Sequence, residues 1–174
     1  MRFSILIGGL LMAFVAAAAA AAPPDCVIGK YQAYTQTQKT WQGSVTQLVV
    51  EMAPEYEDVA KLYLENQLRS VERREIEVAF FAHAEPAKLR TQMPLNNWLS
   101  LSEADRQRIA SENQRYAQLR EQARAARSEP AHPDGNGLRD VMQTEVMQSP
   151  AYKKLMQRYL ESMKAAEGIE CAKA

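Results

Sequence analysis

The sequence predicts an all-α fold: an up-down-up-down four-helix bundle with a Pro-kinked last helix and its termini joined by a disulfide. Three observations predict it. Apolar residues recur at steps of three and four along four long stretches, the period of a helix with one buried face. No alternation of β type and no internal repeat interrupts them outside the leader. The chain has two cysteines, Cys26 and Cys171, at opposite ends of the mature sequence. A bridge needs their Cα atoms within about 7 Å, and an even number of antiparallel rods returns the chain to its starting end.

The first helix is expected over 29–52, with Tyr31, Tyr34, Gln38, Trp41, Val45, Leu48 and Met52 on one seam. It stops before Pro54, which disfavours helical geometry at the residue preceding it. The second opens at Pro54 or Glu55 and ends near Ala84, ahead of Pro86. Its apolar stripe is interrupted by Gln67, Arg74 and Glu75, while Leu62, Ile76 and Phe80 fall outside it. A connector over 85–101 carries Pro86 and Pro94 and should lay Trp98 and Leu99 over one end of the bundle. Ser102 and Asp105 have capping-box spacing, with Asp in place of Glu or Gln, and open a third helix to about Ser128. Its stripe of Ile109, Tyr116, Leu119 and Ala123 is the thinnest of the four, and Asn113 and Arg120 lie beside it. Residues 129–137, with two prolines and two glycines, form a loop. The last helix runs in one register from Leu138 through Pro150 towards Cys171, kinked at Ser149-Pro150.

Residues 1–22 have the organisation of a secretory signal: Arg2, an apolar core over 4–15, then an alanine run, with cleavage near 19–22. Residues 23–174 form a single domain. The residues before Cys26 are Pro23, Pro24 and Asp25, not a lipoprotein pattern, so a periplasmic or secreted protein without a membrane anchor is expected. With Arg2 removed, the 21 basic residues become 20 against 21 acidic ones, a balance of −1. That balance gives no case for a nucleic-acid partner, which needs a basic face.

Candidate sites are few. Asp134, Asn136 and Glu145 fall on EF-hand positions one, three and twelve, but Leu138 and Arg139 occupy positions where an oxygen ligand and a glycine belong. Plain turn chemistry is expected there instead. A b-type haem site would need His83 with Met163 or Met93, whereas methionines on a helical stripe usually fill core gaps. The methionines are too dispersed for copper, and His132 sits between two prolines in a loop. No cofactor and no metal site are therefore expected. No hydrolase elbow, zinc-protease motif or phosphate-cradling glycine loop is present, and no enzymatic activity is expected. Gln38, Gln67, Arg74, Glu75 and Asn113 form a candidate polar band between helices, either a register-fixing hydrogen-bond layer or the wall of a polar pocket.

The run Leu99-Ser-Leu-Ser-Glu-Ala-Asp105-Arg-Gln opens a helix of an exported α-protein. It resembles the Leu-Thr-x-x-Gln motif of periplasmic stress chaperones of the Spy and CpxP type, with serine for threonine and Asp105 in the glutamine position. The resemblance covers only these few residues. It implies a chaperone-like role, in a family with no natural place for an end-to-end disulfide. From the residues themselves, a non-enzymatic binding module is expected, engaging an envelope protein through Leu62, Ile76 and Phe80 as an exposed patch. The alternative is a small-molecule or haem-type carrier, with an interior lined by Tyr63, Gln67 and Tyr116.

Overall fold

Proline at the first helical position and Asp25 in the first turn set the start of the longest helix among the described residues. In a computed structural model, which describes residues 22–172, α1 spans Pro24–Met52, beginning five residues before Gly29. A 3-10 turn, Pro54–Tyr56, reverses the chain into α2, Glu57–Ala84. The connector follows with two further 3-10 turns, Pro86–Lys88 and Leu95–Asn97. Then come α3, Glu103–Glu112, and α4, Gln114–Ser128. The chain closes with α5, Gly135–Thr144, a 3-10 turn Val146–Gln148, and α6, Pro150–Glu167. Among the described residues the fold is all-α, with six helices where four were expected.

Both extra breaks have a local cause. Asn113 adopts an extended backbone, and its side-chain oxygen accepts from the Tyr116 N–H at 2.8 Å, so it caps α4 instead of continuing α3. The expected kinked last helix is likewise two helices. Ser149 is extended, as a residue before proline prefers, its hydroxyl accepts from the Tyr152 N–H, and Pro150 starts α6 at N1. The expected capping box is present: Ser102 accepts from Asp105 N–H at 3.1 Å, and Asp105 accepts from Ser102 N–H at 2.9 Å.

α6, α1, α2 and α4 lie side by side in that order, with α1 packed on α2 and α6, and α2 packed on α4. α1 runs antiparallel to α2 and α6: Glu75 of α2 meets Thr35 and Lys39 of α1, and Trp41 of α1 meets Tyr159 of α6, further along, with Lys30 reaching the Glu167 carbonyl. Two separate cores result. The first gathers Tyr31, Tyr34, Phe81, Trp98, Ile109 and Tyr116 at the end carrying the termini of the described chain. Trp98 is 1% exposed, stacks on Tyr31 at 5.7 Å, and donates its indole N–H to the Met93 carbonyl at 2.9 Å. The second joins Leu48, Val49, Val59 and Ala60, at the α1–α2 corner, to Leu138 and Val146.

The glycines of 134–137 adjoin this second core, where Gly137 lies against Tyr56. They start α5 instead of lying in the expected loop, and none has a positive φ. A Cβ on Gly137 would lie 2.7 Å from Tyr56 Cε1, and one on Gly135 would lie 2.8 Å from the Tyr63 hydroxyl. A side chain at either position would therefore have to displace the outer end of a tyrosine ring.

Cys26 and Cys171 form a disulfide with Cα atoms 5.7 Å apart, closing a loop of 145 positions. In the chain-entropy account, a loop of that size stabilises the fold by about 5 kcal/mol at most. Lys30 secures the same end, donating to the carbonyls of Glu167 and Ile169 at 2.8 and 2.6 Å. The signal expected over 1–22 falls almost wholly outside the described residues. No described helix is long and apolar enough to cross a membrane.

Candidate functional site

Between the two cores, α1 and α6 line a hollow of about 210 Å³. Its α1 wall presents Thr37, Thr40, Trp41 and Ser44, and its α6 wall presents Leu155, Tyr159 and Ser162. Helical spacing explains the α1 wall, because positions 37, 40, 41 and 44 share one face. Trp41 is half-buried and lies against two tyrosines, with ring centroids 5.4 Å from Tyr152 and 5.0 Å from Tyr159. Such aromatic pairs contribute about 1 kcal/mol each beyond their buried area, which fixes the three rings without covering them. Thr37 satisfies its own hydroxyl proton on the Ala33 carbonyl at 3.0 Å. The site has apolar ring faces, hydroxyls and one cation, Arg158. Such a lining suits contact with an amphipathic segment and offers no nucleophile beside a general base.

The residues of the expected polar band divide among four places. Glu75 joins α2 to α1, accepting from the Thr35 hydroxyl and from Lys39 at 2.8 and 2.9 Å. Both Glu75 and Lys39 remain partly exposed, so the pair stabilises by about 1 kcal/mol or less. Gln38 donates to the Tyr34 hydroxyl at 2.8 Å, within α1. Burial, first, and the Tyr159 phenol, second, hold the Tyr34 hydroxyl above its ordinary pKa. Gln67 and Arg74 are exposed, and Asn113 is the α4 cap. The structure therefore brings together Glu75 with Thr35 and Lys39, and does not bring Gln67 or Asn113 to them.

The buried polar link is elsewhere. Glu77 is 6% exposed and accepts from the Tyr116 hydroxyl at 2.6 Å, tying α4 to α2 inside the first core. Desolvation, with the Glu77 carboxylate second, pushes the Tyr116 phenol far above its usual pKa, so it stays a donor at any physiological pH. Sequence reasoning passed over this pair, since Glu77 stands among other charged residues and Tyr116 lies 39 positions away.

Ile76 and Phe80 pack half-buried against the first core, and Arg108 lies over the Phe80 ring at 5.2 Å. Leu62, also half-buried, is fourteen residues back along α2, about 21 Å from Ile76 at the helical rise. Tyr63 and Gln67 are exposed and Tyr116 is buried, so these three line no common interior. His83 and Met93 are exposed, and Met163 is half-buried against the first core. Asp134 precedes α5, Asn136 lies in its first turn, and Glu145 follows its end. No group of three or more His, Cys, Asp or Glu side chains able to hold a metal ion occurs among the described residues.

No protein family, curated protein or solved structure matches this chain.

Proposed function

We propose that this is a non-enzymatic protein-interaction module of the periplasm or the secreted space, which holds an extended segment of another polypeptide in a chaperone-like manner. Its place of contact is the hollow between α1 and α6. The observation that carries the proposal is the half-exposed Trp41, fixed between Tyr152 and Tyr159 beside a hydroxyl-lined hollow. Tyr and Trp supply rigid, amphipathic contact area at low entropic cost, and short hydroxyl side chains adapt to a partner's main chain. The Cys26–Cys171 bridge supports an oxidising compartment, where such bonds persist. The frame that presents the hollow is an up-down-up-down four-rod bundle, with α3 and α4 as one pass and α5 and α6 as another. The antiparallel pairings of α1 with α2 and with α6 support that topology.

Tryptophan fluorescence tests the contact. Trp98 is buried, so a change in acrylamide quenching reports chiefly on Trp41. Titration with a reduced and alkylated, permanently unfolded client should protect the emission from quenching, and the Trp41→Ala protein should bind about tenfold more weakly. Unchanged quenching with unfolded clients and with envelope extract would remove the proposal.

A further inference from the structure

The chain's balanced charge conceals a strong local imbalance on the face opposite α6. Arg73 of α2, Arg106 of α3, and Arg120, Arg124 and Arg127 of α4 converge on a hollow of about 290 Å³, with Glu103 as its one carboxylate. On α4 the three arginines stand at i, i+4 and i+7, a spacing that puts like charges on one helix face and lowers helix stability. Glu103 accepts a hydrogen bond from Arg120 at 2.5 Å, and that arginine side chain is 18% exposed. Arg124 pairs at 3.4 Å with Glu121, its neighbour on the same helix. Arg73, Arg106 and Arg127 make no ion pair and no side-chain hydrogen bond among the described residues. Three helices thus bring five guanidinium groups to one concavity from different directions, against two paired carboxylates, Glu103 and Glu121.

We propose that this cleft binds a compact phosphate-bearing anion. Arginine's planar fork donates paired N–H bonds to phosphate oxygens, and approach from three helices suits a tetrahedral group better than a flat carboxylate. The site is separate from the Trp41 hollow and stands whether or not that hollow binds polypeptide. The phosphate belongs either to a soluble compound or to a lipid headgroup at a membrane surface.

Calorimetric titration of the disulfide-bonded protein with inorganic pyrophosphate, and sedimentation with phosphatidylglycerol vesicles against phosphatidylcholine vesicles, distinguish the two sources. Saturable pyrophosphate binding without vesicle binding assigns a soluble ligand, and selective retention on phosphatidylglycerol assigns a headgroup. In either case Arg73→Gln/Arg106→Gln should weaken binding by about tenfold or more, the loss of charge-assisted hydrogen bonds, while Arg115→Gln should not. Arg115 is a suitable control because Glu72 already holds it, at 2.6 and 2.7 Å. The double variant should also melt no lower than the wild type without ligand, because like-charge repulsion is relieved. The single variant Arg127→Gln, exposed on α4, gives a second test of affinity that leaves the α2 and α3 positions intact. Binding of neither probe, or binding that survives the double variant and Arg127→Gln unchanged, overturns the proposal.

Discussion

The two ends of the molecule share α1 and α2, yet their cores are built differently. At the disulfide end the buried set holds Trp98, Tyr34, Tyr116, Phe81, Leu95 and Ile109, drawn from α1, α2, the connector, α3 and α4. At the corner end it holds aliphatic side chains, and only Val59 and Val146 are fully enclosed. The first core is larger, has its polar atoms satisfied at Glu77, Tyr116 and the Trp98 indole, and is closed by a covalent bridge. At the second, Gly135 and Gly137 of α5 lie close against the ring ends of Tyr63 and Tyr56. Burial of large apolar area dominates stability, so the two ends should differ in how much free energy holds them.

The largest expected effect compares the two directly. Trp98→Ala should cost about 4 kcal/mol, whereas Val146→Ala should cost about 2 kcal/mol, both read from urea unfolding of the oxidised protein. Equal costs would mean that the corner is as tightly constructed as the disulfide end.

A smaller effect sharpens the comparison through pH. Asp105 sits at the start of α3, against the first core's connector. The hydrogen bond from Lys88, first, and those from the Ser102 hydroxyl and N–H hold its carboxyl well below the usual carboxylate range. A depressed folded pKa stabilises the protein above the ordinary carboxylate value of about 4, and that contribution fades as pH falls towards the folded value. The wild type should therefore lose stability between about pH 4 and pH 2 more steeply than Asp105→Asn, measured by thermal melts across that window. Parallel melting curves would show that the capping box contributes nothing to the acid limb.

Proline and capping chemistry made much of the frame legible from sequence. Pro54 and Pro86 bounded α2, Ser102 and Asp105 opened α3, and the cysteines found each other. The same chemistry was overlooked where periodicity ran across it. Asn113 and Ser149 are caps, but each lies where the helical register resumes on the far side, so apolar spacing alone joins the flanking helices. Asp134-Gly-Asn-Gly carries a turn composition, yet its glycines answer to tyrosines on α2 and the preceding turn, a contact no local pattern encodes. The Trp41 hollow and the arginine cleft escaped for a related reason. Each is made by residues far apart in sequence, and an even total charge gives no sign of arginines collected on one face.

Native-state hydrogen exchange on the oxidised protein tests the central contrast most directly, because α1 runs through both cores and serves as its own control. Amides of 31–35, 78–82 and 116–119 should exchange only through global unfolding, while those of 48–52 and 138–146 should open at a free energy at least about 1.4 kcal/mol lower, a tenfold difference in exchange. Equal protection along the whole of α1, or greater protection at the corner, would contradict the unequal division of the core.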